Sequence, residues 1–286
     1  MATLNPSLLY KLNNKGAIAP GYIADFILLD DLERFKISQV YKEGKLVVNN
    51  NELVNFDTDL VKNANNNAFY NSINLPPLSE DSFKINIPNK DVKILNAIEI
   101  IPNKLESIHL RLNISDINSI KDSDYKFFTS STEEDLLKIA VIERHKASGN
   151  LGLGILKGLE ISAGAIGTTI AHDSHNLIIA GTNDKDMLFA AKELERMGGG
   201  IIVVKDKNIL AHIKLEIGGL MTNRTYGEIE FDLKNLHSAI KIIAPQIDFN
   251  PFLTLSFLSL PVIPDLKITD KGLFDVINFK FIDIFE

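Results

Sequence analysis

Chemically active side chains are densest in the run Ala171-His172-Asp173-Ser174-His175-Asn176, which lies between two apolar segments. Metal binding by the two histidines and the aspartate is possible, because imidazole suits zinc, manganese and iron. A strand would direct His172 and His175 to opposite faces, whereas a loop or a helical turn could bring them together. A polar loop that is hydrogen-bonded to itself explains the same residues, so both interpretations stay open. The position beside strands favours a function, since α/β folds keep their sites at strand ends.

A second polar group, Glu143-Arg144-His145, follows the apolar segment 137–142. Arg144 could pair with a carboxylate and Glu143 could support a site, although a solvated strand end explains these residues equally well. Asp184 ends the run Gly181-Thr182-Asn183-Asp184, whose polar groups could also serve a site, but capping of a helix N-terminus accounts for them.

Four glycines at positions 149, 152, 154 and 158 raise the question of phosphate binding. Their spacing is not Gly-x-Gly-x-x-Gly, and no well-patterned helix follows them. The sequence therefore predicts close backbone packing or tight turns between strands at these positions. Ser-His-Asp and paired-carboxylate arrangements do not rise above chance, and three isolated histidines are expected to be structural or on the surface: His109, His212 and His237.

The elements that must position these residues are short strands and two amphipathic helices. One helix is predicted over residues 184–197, capped by Thr182 or Asn183 and ended by the glycines that begin at Gly198. A second helix carries Ile229, Leu233, Leu236, Ile240 and Ile243 on one face. Apolar runs predict strands at 24–30, 37–41, 45–48, 92–101, 137–142, 152–156, 165–171, 177–180, 201–204, 209–215 and 253–262.

Three further features organise the chain. Residues 20–55 predict a small antiparallel sheet with a hairpin at Lys42-Glu43-Gly44. Residues 177–204 predict a right-handed βαβ unit. A helix with Asn5 as its N-cap and Pro6 at its first position is predicted near the start of the sequence.

Composition excludes several classes of protein. The 286 residues include no cysteine, which excludes disulfides, thiol catalysis and cysteine-ligated metal. The formal charge of −7 argues against broad nucleic-acid binding, which needs a positive field. The absence of cysteine, together with the absence of an evident signal peptide, favours a cytoplasmic protein. No apolar run approaches the roughly 18 residues of a membrane span. A small molecule or another protein is the expected partner.

Two sets of motifs resemble known families. The first is Asn5-Pro6, Gly16-Ala17-Ile18-Ala19-Pro20-Gly21 and Ala24-Asp25 with Leu28-Leu29-Asp30. It is similar to the segment of amidohydrolases in which the helix after the last barrel strand leads into the strands of a small β-sandwich. This set indicates only that superfamily. The second is more specific and resembles the extra C-terminal domain of adenine deaminases: residues 142–146, 152–154, 164–166, 171–176 and 181–184, with Asp31-Leu32-Glu33 and residues 252–264.

The resemblance implies hydrolysis of adenine to hypoxanthine and ammonia by a metal-bound hydroxide, because a metal lowers the pKa of its water. The expected divalent metal is manganese, with iron and zinc as alternatives. It would be bound by a TIM barrel whose ligands would lie upstream of Met1. The expected fold is mixed α/β: a small antiparallel β-sandwich remnant followed by a C-terminal α/β domain, with the metal-binding barrel missing. The domains would be residues 1–15 as the last barrel helix, 16–56 as sandwich strands, 57–90 as linker and 91–286 as the C-terminal domain.

Candidate site residues carried over by the resemblance would face the active-site mouth or a subunit interface: Glu143, Arg144, His145, His172, Asp173, His175, Asn176 and Asp184. The expected partners are adenine, the missing N-terminal barrel half and further copies of the chain, and no activity is expected without the barrel. Two alternatives stay open, a non-catalytic oligomerisation or ligand-binding module and a separate metal site in residues 172–176, with His172 and His175 as weak candidate ligands.

Overall fold

The computed structural model describes residues 2–54, 69–88, 92–117 and 127–286. They form two compact units, divided in the segment between residues 54 and 69. The linker predicted over residues 57–90 therefore lies partly outside the described residues.

The first unit contains a short helix, α1 (Leu4–Leu9), and one antiparallel sheet. Its strands follow chain order: β1 (Phe26–Asp31), β2 (Lys36–Lys42), β3 (Lys45–Asn49) and β4 (Glu52–Leu53). The predicted hairpin is confirmed, with Glu43 and Gly44 both at positive φ between β2 and β3. The N-cap predicted at Asn5 is wrong: Thr3 is the N-cap and Asn5 lies inside the helix.

The second unit is built on a sheet with the order β12-β11-β9-β10-β7-β8-β5-β6. Its strands are β5 (Ile94–Ile100), β6 (Ser107–Asn113), β7 (Leu137–Ile142), β8 (Leu151–Lys157), β9 (Ala165–Thr168), β10 (Leu177–Gly181), β11 (Gly200–Lys205) and β12 (Asn208–Lys214). Neighbouring strands are antiparallel except β5 and β8, which are parallel. Three helices accompany this sheet: α2 (Asp184–Met197), α3 (Tyr226–Ile243) and α4 (Pro251–Leu258). A smaller sheet contains β13 (Leu266–Thr269), β14 (Gly272–Asp275) and β15 (Lys280–Ile282), and 3₁₀ turns span Glu80–Phe83 and Ile114–Asp116.

Both faces of the large sheet are covered. Helix α2 packs its buried Met187, Ala190 and Leu194 against one face, in a core that includes Phe83. Helices α3 and α4 and strands β13 and β14 share a core with the other face. The predicted mixed α/β fold is confirmed, and no helix of the described residues is long and apolar enough to span a bilayer.

The chain leaves β10, forms α2 and returns as β11, as predicted, but β9 lies between the two strands. Since both are antiparallel to β9, they run parallel to each other without being neighbours. Strand order is set by long-range pairing, which local apolar patterns do not encode.

The strand predicted over residues 253–262 is wrong, because residues Pro251–Leu258 form helix α4. The side chain of Asn250 caps this helix by accepting hydrogen bonds from the N–H groups of Phe252 and Leu253, and Pro251 occupies its first turn. Apolar residues lie on all sides of the helix, including the exposed Leu253, so its sequence has no amphipathic period to distinguish it from a buried strand.

The glycines of the 149–158 stretch include two sites of close packing, as predicted. A Cβ at Gly152 would lie 1.9 Å from the carbonyl oxygen of Thr269, and one at Gly154 would lie 3.0 Å from a Leu273 methyl. Strand β8 therefore approaches the β13–β14 hairpin at a distance that only glycine permits.

Candidate functional site

Most of the candidate residues meet at one end of the β7–β10 pair. The antiparallel register places Ile142, the last residue of β7, opposite Leu177, the first residue of β10. Residues 143–145 therefore leave the sheet beside the point where residues 172–176 enter it.

The segment 171–176 forms a loop that is closed on itself. The N–H of His175 donates to the carbonyl oxygen of Ala171 at 2.5 Å, and the N–H of Ala171 approaches His175 Nδ1 at 3.4 Å. Helix α4 holds the other side of the loop, because the His172 N–H donates to the carbonyl oxygen of Ser256 at 3.0 Å. The polar, self-bonded loop that the sequence allowed is therefore present.

Arg144 is the principal support beneath this loop. Its side chain is buried, with 1% exposed, and Nε donates to the carbonyl oxygen of His175 at 2.5 Å while Nη2 donates to that of Gly218 at 3.1 Å. In the described part of the chain its hydrogen-bond partners are neutral carbonyls, and the carboxylate pairing considered for it is not formed. Burial lowers the pKa of Arg144 to about 10, an effect that the nearby Glu143 opposes. The guanidinium remains charged at neutral pH.

A two-glycine turn completes the surroundings of Arg144. Gly219 has φ +72°, and a Cβ on it would lie 2.9 to 3.0 Å from three guanidinium atoms. The hydroxyl of Thr169 donates to the carbonyl oxygen of Gly219 at 2.6 Å and fixes the turn to the end of β9. Segment 69–75 is attached as well. The N–H of Gly218 donates to the carbonyl oxygen of Phe69, and the N–H of Asn74 donates to the carbonyl oxygen of Arg144.

Glu143 stabilises the backbone that follows it. Its carboxylate accepts from the N–H groups of His145, Lys146 and Ser148 at 2.5 to 2.9 Å. Partial burial by itself raises the pKa of Glu143, but these hydrogen bonds outweigh it and hold the pKa at about 2. This carboxylate is thus committed to the 143–148 turn.

The histidines form a group with Arg144, and we call Arg144, His145, His172 and His175 the basic cluster. The ring centroids of His172 and His175 are 5.9 Å apart, and His172 packs against Phe257 at 4.4 Å. His145 Nε2 lies 2.8 Å from the carbonyl oxygen of Ser174, so this nitrogen carries a proton. Burial lowers the pKa of His175, and the charges of His172, Arg144 and His145 lower this pKa further. The charge of Asp173 raises it.

The remaining candidates lie in different surroundings. Asp173 is exposed, whereas Asn176 is 4% exposed and its Oδ1 has no hydrogen-bond partner in the described residues. Asp184 accepts from Lys138 Nζ at 2.6 Å. Since Gly181 pairs with Lys138 at the far end of the five-residue β10, this ion pair lies about 13 Å along the strand from the basic cluster. The structure does not bring Asp184 together with the other candidates.

The positions of these side chains bear on whether they could ligate a metal ion. Among the described residues, no group of three His, Asp or Glu side chains is arranged to hold a metal ion. His175 Nδ1 faces the Ala171 N–H at 3.4 Å, which favours the neutral tautomer with its proton on Nε2. Among the described residues, the alternative of a separate metal site in residues 172–176 therefore gains no support.

Sequence reasoning missed the residues that hold the cluster in place: Asn74, Thr169, Gly218, Gly219, Ser256 and Phe257. The adjacent glycines after an apolar run were a detectable sign of a tight turn. Asn74 lies 70 residues from the arginine whose carbonyl it binds, and no local pattern indicates such a contact.

Comparison with protein families gives two matches. The family described as "Adenine deaminase C-terminal domain" matches residues 115–280, more than half of the chain. The family described as "Amidohydrolase family" matches residues 1–47.

Curated proteins give concordant matches. Adenine deaminase of Geobacillus kaustophilus (strain HTA426) is 46% identical over 284 residues, which are 99% of this chain and 47% of the relative. Adenine deaminase of Lysinibacillus sphaericus (strain C3-41) is 41% identical with the same coverage. Adenine deaminase 2 of Carboxydothermus hydrogenoformans is 38% identical over 286 residues, 99% of this chain and 47% of the relative. The chain thus spans about half the length of the curated relatives it matches.

Proposed function

Because this chain belongs to the adenine deaminase C-terminal domain family, we propose that it works as the C-terminal half of an adenine deaminase. The complete enzyme would hydrolyse adenine to hypoxanthine and ammonia, in the cytoplasm and as a homo-oligomer. The divalent metal, which would supply the activated water, would be held by a barrel outside this chain. The chain's own part is to form a folded domain beside that barrel and to bring the candidate residues other than Asp184 together at one end of the large sheet.

The observation that carries this proposal is the coverage of the relatives. Proteins named adenine deaminase match 99% of this chain, and the match accounts for 47% of their length. The described residues also lack a group of three metal ligands. A deaminase that depends on a metal-bound hydroxide would therefore need ligands from another segment of protein.

The first unit supplies independent physical support. Between residues 2 and 54, Ser7 is the only buried residue, and large apolar side chains are exposed, including Leu8, Leu9, Ile18, Leu32 and Phe35 at 61% to 87%. A sheet and helix without buried apolar side chains gain little from the hydrophobic effect, which contributes about 25 cal/mol per Å² of apolar surface removed from water. This unit therefore calls for a covering partner, and a barrel half is the partner proposed.

A chimera tests the proposal. The part of the Geobacillus kaustophilus adenine deaminase that aligns with this chain is replaced by this chain, and ammonia release from adenine is measured with Mn²⁺, Fe²⁺ or Zn²⁺. We expect the chimera to be active and the isolated chain, loaded with the same metals, to release no ammonia above the protein-free rate. Co-expression of the relative's N-terminal half with this chain provides a second arm that does not require a functional junction.

Two results would contradict the proposal. One is chelator-sensitive ammonia release by the isolated chain. The other is an inactive chimera that elutes as a folded species with the full metal content of the parent enzyme. The alternative of a non-catalytic oligomerisation module is favoured if the isolated chain is a defined oligomer by light scattering and neither arm yields activity.

A further inference from the structure

The basic cluster lies at one sheet end with little negative charge to balance it. Arg144, His145 and His172 are all close enough to His175 to depress its pKa. Of the two carboxylates that flank the cluster in the described residues, Glu143 is occupied by three backbone N–H groups. Asp173 is exposed and is the group that acts on His175 in the opposite direction. Helix α4 contributes uncharged groups to this site through Ser256 and Phe257, and its C-cap residue Ser259 contributes another.

The charge of Arg144 is unusual for a buried residue. Its Nε and Nη2 donate to main-chain carbonyls, and it forms no ion pair with a carboxylate in the described part of the chain. A buried charge is costly unless it is paired, and carbonyl dipoles supply only part of the compensation. The positive field of Arg144 therefore extends to the loop above it, where it would stabilise an anion.

The loop also presents hydrogen-bond donors to a ligand. In its neutral form His175 carries its proton on Nε2, because Nδ1 faces the Ala171 N–H. Within the described residues, the N–H groups of Asp173 and Ser174 donate to no protein acceptor. Both residues are exposed, and successive free N–H groups are a recurring means of holding anions.

We propose that the basic cluster and residues 173 and 174 of its loop form a binding site for a small oxyanion, for which inorganic phosphate is the probe. Arg144 contributes positive charge from its buried position behind the loop. His172, His175 and the two backbone N–H groups contact the ligand. The site is independent of the deaminase proposal, because it uses only residues of this chain and requires no metal.

Histidine NMR of the isolated chain tests the site directly, since the protein has six histidines. Phosphate is titrated at constant ionic strength and pH against sodium chloride, and the Cε1–H signals are assigned with single His→Gln variants. We expect saturable shifts for His145, His172 and His175, and none for His109, His212 and His237. Equal shifts at all six histidines, or shifts that do not saturate, would overturn the proposal.

Charge variants supply a directional check. Asp173→Asn removes the opposing exposed carboxylate and should tighten phosphate binding about fivefold. His175→Gln should weaken it about threefold or more through loss of a charge-assisted donor. His237→Gln, an exposed change on α3, is the matched control and should leave affinity unchanged. If His175→Gln unfolds the loop, Asp173→Asn decides alone: unchanged or weaker binding refutes the site.

Discussion

The guanidinium of Arg144 lies so close to Gly219 that a Cβ there would sit 2.9 Å from Nη1. Gly219 also has φ +72°. Gly219→Ala therefore combines backbone strain of about 1–2 kcal/mol with overpacking of about 1–3 kcal/mol. Gly218→Ala is a matched control, because it has φ +66° but open space around its Cβ. Urea unfolding should show a larger loss in the free energy of unfolding for Gly219→Ala than for Gly218→Ala. Equal losses would refute the close approach of Gly219 to the Arg144 guanidinium.

Arg144→Lys should destabilise the second unit although it keeps the charge. Lysine cannot reproduce the two directed hydrogen bonds to His175 and Gly218, so a loss of about 2–4 kcal/mol in the free energy of unfolding is expected. Arg111→Lys is the control, since Arg111 is half exposed and pairs with Glu286 at the surface. That change should cost less than about 0.5 kcal/mol. Similar losses for both variants would count against the supporting role of Arg144.

Gly152→Ala should disrupt the contact between β8 and the β13–β14 hairpin. The added methyl would meet main-chain atoms of Thr269 and Gly272, which cannot move aside as a side chain can. We expect the free energy of unfolding to fall by more than about 3 kcal/mol, which is at the upper end for overpacking. Gly149→Ala meets open space at φ +88° and should cost only about 1–2 kcal/mol. Thermal unfolding of the two variants separates close packing from backbone strain.

Glu143 should contribute acid-sensitive stability. Its pKa is lowered to about 2 from an ordinary value of 4.5, so the unfolded state takes up a proton first as the pH falls. The contribution is complete above pH 4.5 and is lost as the pH falls towards 2. Glu143→Gln should therefore flatten the dependence of unfolding free energy on pH in that window. Glu133→Gln, at an exposed position, serves as the control, and an unchanged slope for Glu143→Gln would contradict the assignment.

Local patterns in the sequence were enough to predict the elements that carry a strong period or a clear cap. Helix α2 has the predicted bounds, with Asn183 accepting from the N–H of Asp186 and Gly198 in the left-handed conformation. Strand β7 also has its predicted bounds. Helix α4 was missed because apolar residues on all of its sides erase the period, although Asn250 and Pro251 are a normal start signal.

The candidate site was only partly accessible to such reasoning. The loops at residues 143–145 and 172–176 were expected at strand ends, and the β7–β10 register brings them together. The partners of Arg144 are 31 and 74 residues away, so the hydrogen bonds that define its role arise from tertiary packing alone. Asp184 has similar local chemistry, but its ion pair with Lys138 ties it to the opposite end of the strands.

The attachment of three separate segments to Arg144 has a dynamic consequence. Segment 69–75, the 171–176 loop and the turn at Gly218 each depend on a hydrogen bond to this residue or to one another. Opening any one of them withdraws a partner from the rest, which makes the three a single cooperative unit of local unfolding. The hydrogen-bonded amides of Asn74, His175 and Gly218 should then exchange with solvent deuterium at one shared rate, even though they are far apart along the chain.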